Sequence, residues 1–256
     1  MSYYAYHLAL NEEDVKNTKI AILPGDPWRV NKIAEILDNN FKELEFHREY
    51  KSALCNVGGV NVLVISTGIG GPSVSIAMEE LARLGIKIFI RVGTTGAIQE
   101  YINNGDFIVS TAAVRLDGAS THYAPLEYPA VADWNIVNIL YNAAKKLNYR
   151  VFTGITASSD TFYPGQERYD TFKGYVIRKF QKSMNEWRNL NVLNFEMESA
   201  TMFTIANVFG VHAGTVCGVI AKRTDKEEVD MGIIDEVELK LANIIKESIP
   251  DLRHLL

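Results

Sequence analysis

Arginine recurs in this sequence where an apolar run gives way to a turn, each time beside glycines, hydroxyls or amides that could help hold an anion. Arg91 stands near the end of IKIFIRV (86–92) and is followed by GTTGAI (93–98). A charge inside an apolar strand is costly unless paired, so either a structural carboxylate or a bound anion must stand beside it. The flanking glycines and the hydroxyls of Thr94 and its neighbour favour a small anion. Arg29 follows the run IAIL (20–23) within PGDPWRV (24–30). There Gly25 can bring a backbone N–H to a ligand, Asp26 can cap and Pro27 can open a helix. The same segment also reads as a capped helix with a solvated arginine. Arg48, in HREYKS, is a third candidate.

The most unusual loop is TASSDTFYPGQERYD (156–170), which leaves a strand-like run and gathers aromatics, acids, a Pro-Gly turn, Gln166 and Arg168. Phe162 and Tyr163 offer an aromatic wall. Gln166 can accept from a ring N–H while donating to the neighbouring carbonyl, and Arg168 can donate to a second carbonyl. That pattern matches the edge of uracil, and donors fixed there would also stabilise the charge of a departing uracil anion. Alone, the stretch equally reads as a polar surface loop. In NFEMESAT (194–201) a strand passes into a helix, and Glu196 and Glu198 can diverge, one into a pocket and one into its support. A carboxylate can accept from both vicinal hydroxyls of a ribose. The simpler reading places Glu198 in the first turn of a helix, where acids are favoured.

These residues need a frame. Strand-like runs lie at 20–23, 60–66, 86–92, 107–114, 151–157 and 212–221. Helical periodicity fills the gaps. The clearest helix is GGPSVSIAMEELARLG (70–85), with Val74, Ala77, Met78, Leu81 and Leu84 on one face, Gly-Pro at its start and Gly85 at its stop. Further helices are predicted at 27–37, 134–147, 182–190, 198–209 and 235–249. The alternation implies an α/β domain with a largely parallel or mixed central sheet. No Pro-, Gly- or Ser-rich segment divides the chain, so residues 1–256 are expected to form one domain. In such sheets ligands bind where strands end.

Composition narrows the classes. The 256 residues are 47% apolar and carry 31 acidic against 26 basic side chains, a formal charge of −5. That gives no global cationic field for a nucleic-acid polymer. Nothing approaches the roughly 20 apolar residues of a spanning helix, and the start MSYYAYHLALNEED lacks the pattern of a secretory leader. A soluble cytoplasmic protein is the expectation. Cys55 and Cys217 lie far apart in apolar runs and read as buried thiols, and the five histidines show no metal-ligand spacing. No Walker A or full GxGxxG sequence is present.

The segments PGDPWRV, HREY, STGIGGPS, RVGTTGAI, VRLDGAS, ASSDTFYPGQERYD and FEMESAT occur in the order and spacing of the nucleoside phosphorylase I family. The chain resembles that family from about residue 6 to residue 223, most specifically in the long loop and EMESAT. The resemblance implies a three-layer α/β/α fold with a mixed central sheet. It implies reversible phosphorolysis of uridine, with deoxyuridine and thymidine as further candidates, giving uracil and ribose 1-phosphate in pyrimidine salvage. By the same resemblance phosphate falls to Gly25, Arg29, Arg91 and Thr94, with Arg48 from a neighbouring subunit. Ribose falls to Thr94, Met197 and Glu198, with His7 reaching across from the partner chain. The base falls to Phe162, Gln166, Arg168 and Arg223, in a pocket completed by Phe195, Ile220 and Ala221. Arg91, Gln166, Arg168 and Glu198 would carry the catalysis.

Glu49, Ile69 and Ser73 match positions that hold a monovalent cation, usually potassium, at the dimer interface. Inorganic phosphate is the co-substrate, no organic cofactor is implied, and a dimer is the minimal unit of an expected homohexamer. A purine nucleoside phosphorylase of the same fold is the nearest alternative, but its acid is replaced here by Ile220 and Ala221. A nucleosidase would not need the three phosphate-binding arginines. A nucleoside-binding protein without turnover is the alternative from another class. Ala221, Phe195 and Tyr6 depart from the valine, tyrosine and phenylalanine of the best-known members, which implies a roomier base pocket.

Overall fold

The structure, a computed structural model, describes residues 3–224 and 228–256. The sequence after Arg223 departs most from the family it resembles and is expected to include a loop over the pocket, and its residues 225–227 lie outside the described residues. The helices are α1 (Trp28–Leu37), α2 (Gly71–Arg83), α3 (Trp134–Lys146), α4 (Ser183–Asn189), α5 (Ser199–Phe209) and α6 (Ile234–Leu252). The main strands are β1 (Ile20–Pro24), β2 (Lys42–His47), β3 (Tyr50–Val57), β4 (Val60–Ile65), β5 (Ile88–Ala97), β6 (Phe107–Leu116), β7 (Val151–Ser159), β8 (Val192–Glu196) and β9 (His212–Lys222).

Strand β1 shows why the chain forms layers. Ile20 and Ile22 pack on one face with Val30, Ile33, Ile136 and Val237, from α1, α3 and α6. Ala21 and Leu23 pack on the other with Val74, Met78 and Phe203, from α2 and α5. A strand apolar on both faces must be covered on both, and the helices of the two cores supply the cover. The result is the three-layer α/β/α arrangement.

The sheet is mixed. One flank runs β5, β1, β4, β3, β2, with the first three parallel and the β4–β3–β2 meander antiparallel. On the other side β9 pairs parallel with β5 and antiparallel with β6, while β6–β7–β8 run parallel and β8 returns antiparallel to β5. Those five strands therefore close into a ring. Irregular register in β9 between Val219 and Ala221, and in β7 between Gly154 and Ile155, supplies the local bending that closure needs.

The helices lie within a few residues of their expected positions. The sequence predicts a third strand that stops at Val92 with GTTGAI in a loop, and the structure corrects this. Strand β5 continues to Ala97 because β9 pairs with it along its whole length and β8 pairs with Gly96 and Ala97. Partners on both sides satisfy the backbone and outweigh the poor strand preference of glycine.

Candidate active site

A cavity of about 560 Å³ opens at the strand ends of this ring and of β1. Leu23 of β1 lies in register with Arg91 of β5, so the turn that follows Pro24 brings Gly25 and Arg29 to the same cavity wall as Arg91 and Thr94. Strand β8 ends at Glu196, and Glu198 immediately precedes α5, so both carboxylates arrive beside Arg91. Arg91 Nε donates to Glu196 Oε2 at 3.0 Å, and Arg91 Nη2 is ion-paired with Glu198 Oε2. The sequence reading preferred an anion to a structural carboxylate at Arg91, whereas the structure provides two carboxylates.

Each glutamate has a distinct setting. Glu196 also accepts from the backbone N–H groups of Glu198 and Ser199, both at 2.9 Å, and from Ser158 Oγ. It is the support. Glu198 accepts from Gly70 N–H at 2.6 Å and, like Glu196 and Met197, lines the cavity. Burial pushes its carboxyl above the usual range, Arg91 pulls against that rise, and the charge of Glu196 adds to it. Burial alone would lower the pKa of Arg91, but Glu198 and Glu196 outweigh burial and hold it above its ordinary value, so the guanidinium stays charged.

The rest of the wall carries the aromatic and amide groups. Phe162, Gln166, Arg168, Phe195, Ile220 and Ala221 all line the cavity. Gln166 is buried, and its Oε1 accepts from Arg168 Nη2 at 3.4 Å. The Arg168 guanidinium lies 3.9 Å from the centroid of Phe162, a stacked cation that fixes both side chains. Tyr163 is not on this wall and faces a separate surface hollow. Arg223 is not on the wall either. Its Nη2 donates to the backbone carbonyl of Gln166 at 2.7 Å, so it positions the loop. Gly96 is what lets it do so, since a Cβ there would lie 2.8 Å from Arg223 Cδ. Likewise a Cβ at Gly93 would come within 3.0 Å of Arg91 Nη2. The glycines of β5 are clearances for arginine side chains.

His7 and Arg48 are not on the cavity wall of this chain. His7 Nδ1 bonds Glu80 at 2.7 Å, its carbonyl accepts from His47 Nδ1 at 3.0 Å, and exposed Arg48 sits in the β2–β3 turn. Ile69 is exposed at the cavity rim. A Cβ on neighbouring Gly68 would lie 2.9 Å from Glu49 Cγ and 3.5 Å from Ser73 Oγ, so the three positions expected to hold a cation do come together. Their oxygens suit a hard cation. Among the described residues no group of three or more His, Cys, Asp or Glu converges as a metal site.

The sequence predicts the Thr95 hydroxyl as a second anion donor beside Thr94, whereas in the structure it donates to Phe195 O at 2.6 Å and accepts from Asn194 Nδ2 at 2.8 Å. The sequence reading missed Glu238, whose Oε1 accepts from Arg29 Nε at 2.6 Å across 209 positions of sequence. No local pattern marks that residue.

An α/β/α sheet whose strand ends gather Arg29 and Arg91, a carboxylate and an amide–guanidinium pair defines a class. The chain belongs to the phosphorylase superfamily, whose family model matches residues 19–250. It is 52% identical over 243 residues to uridine phosphorylase of Salmonella typhimurium, covering 95% of this chain and 96% of that protein. The same identity and coverage relate it to uridine phosphorylase of Escherichia coli. To guanosine phosphorylase of Halorubrum lacusprofundi it is 38% identical, over 83% of this chain and 81% of that one. Among the described residues no helix is long and apolar enough to cross a membrane.

Proposed function

We propose that this protein is a pentosyltransferase that cleaves uridine with inorganic phosphate, reversibly, to uracil and ribose 1-phosphate. The observation that carries the reading is the presence of Arg29, Arg91, Glu198, Gln166 and Arg168 on one cavity wall. The 52% identity to uridine phosphorylases along nearly the whole chain supports the pyrimidine.

In the reaction a phosphate oxygen bonds to the anomeric carbon while the bond from that carbon to N1 of uracil breaks. The bonding pair leaves with the base. Gly25, Arg29, Arg91 and Thr94 seat the phosphate, and much of the gain is orientation on the face opposite the base. Met197 and Glu198 hold the ribose, the carboxylate accepting from its hydroxyls. Gln166 and Arg168 stabilise the leaving anion at its carbonyls and ring N–H, with Phe162, Phe195, Ile220 and Ala221 enclosing the ring. The charge that builds on the base therefore meets donors already fixed in place.

The unit of function in this reading is a homodimer, within a hexamer, acting in the cytoplasm. Arg48 and His7 would complete the phosphate and ribose sites of the partner. The reading is supported by their position off the cavity of their own chain, beside the exposed side chains of Tyr6, Phe46 and Ile69. Glu49, the Ile69 carbonyl and Ser73 would hold potassium there, supplying positive charge between the subunits.

The test is loss of uridine absorbance with and without phosphate, with inosine alongside. Phosphate-dependent loss of uridine with inosine untouched is expected. Cleavage without phosphate, or preference for inosine, overturns the reading.

A further inference from the structure

Arg29 stands in a partition. On one side is the cavity of the active site. On the other, between α1 and α6, lies a cavity of about 280 Å³ walled by Ile33, Ile36, Leu239 and Leu241 and edged by Lys32 and Glu238. An arginine side chain with space on both sides can point either way, and holding it costs conformational entropy. Glu238 does the holding. Its Oε1 accepts from Arg29 Nε at 2.6 Å and its Oε2 from Lys32 Nζ at 3.0 Å. The Arg29 and Glu238 side chains are 18% and 11% exposed, so the pair is shielded from water.

We propose that Glu238 is a positioning residue for the phosphate half of the reaction, fixing Arg29 by its Nε so that the guanidinium stays on the active-site side. Its negative charge would by itself oppose an incoming phosphate. Lys32 offsets this: it bonds both Glu238 and Asp235, so the four groups Arg29, Lys32, Asp235 and Glu238 sum to zero charge. Orientation then outweighs repulsion. The same contact makes α6 a support of the anion seat, just after Val229, which lines the active-site cavity.

The inference rests on the phosphorolytic reading above, and a mutant cycle separates the two. Steady-state kinetics with uridine and phosphate varied in turn are measured for wild type, Arg29→Ala, Glu238→Ala, the double variant, Glu238→Gln and Lys32→Ala. Glu238→Ala is expected to raise KM for phosphate roughly tenfold, the scale of one hydrogen bond to a charged group, with KM for uridine within about twofold. Glu238→Gln, which keeps an oxygen for Nε, recovers most of the loss, and Lys32→Ala, which leaves the charge of Glu238 uncompensated, raises KM for phosphate by less than Glu238→Ala does. In the Arg29→Ala background Glu238→Ala adds nothing, because both act through one side chain. An unchanged phosphate KM in Glu238→Ala, an equal rise for uridine, or additivity in the double variant overturns the proposal. If Arg29→Ala itself leaves phosphate KM unchanged, the phosphate assignment fails, and the proposal with it.

Discussion

Replacing Glu196 by alanine tests the arrangement around Arg91. The carboxylate is buried and accepts from Arg91 Nε, from the N–H groups of Glu198 and Ser199, and from Ser158 Oγ. Removing it leaves a buried guanidinium with Glu198 as its remaining carboxylate and strips two backbone donors at the start of α5 of their acceptor. Breaking a buried pair from one side costs about 3–5 kcal/mol. Unfolding entropy for a chain of 256 residues is roughly 0.5 kcal/mol/K. The melting temperature should therefore fall by roughly 6–9 °C. The assay is calorimetry or far-ultraviolet melting at neutral pH beside wild type. Glu196→Gln, with one acceptor oxygen and an amide facing donors, should fall in between. A melting temperature within about 2 °C of wild type in Glu196→Ala would refute the view that this carboxylate supports the site.

Arg168→Ala removes the cation over Phe162 and, with it, the proposed donor to the leaving base, and should cut kcat for uridine by about 10²–10³. A loss confined to KM would contradict a role in stabilising the departing anion. Ala221→Val narrows a wall of the cavity and should lower the ratio of thymidine to uridine kcat/KM by roughly tenfold; an unchanged ratio would show that this wall does not meet the base. Burial pushes the Cys55 and Cys217 thiols up to about 12, above the ordinary thiol value of about 8.5. The folded state thus holds these protons longer than the unfolded state, and the associated stability is lost as pH rises above that ordinary value. At pH 8 the native protein should not react with a disulfide reagent, while the denatured chain should yield two equivalents. Rapid native labelling would contradict the burial.

Much of this was legible in the sequence because it is local. Pro27 next to Asp26 marks the start of α1, Gly71 and Pro72 open α2, and the loop around Gln166 and Arg168 announces its donors in one stretch. The unreadable part is what pairing across the sheet decides. Gly93–Gly96 looks like a turn until β9 pairs along it and β8 joins at Gly96. Glu196 and Glu198 could be read as diverging, but not as both holding Arg91, since that depends on β8 lying beside β5. Glu238 reaches Arg29 only because α6 packs on α1, a contact set by helix faces far apart in the chain.

The central claim is that phosphate, seated by arginines on the face opposite the base, captures the sugar as uracil leaves. Proton and phosphorus magnetic resonance of the products from uridine and phosphate tests it most directly. The account predicts uracil and ribose 1-phosphate in equal amounts, with the sugar in the α configuration, inverted from the β-nucleoside. Free ribose would mean that water is the acceptor, and a β-phosphate would mean attack from the side the base leaves; either would contradict the account.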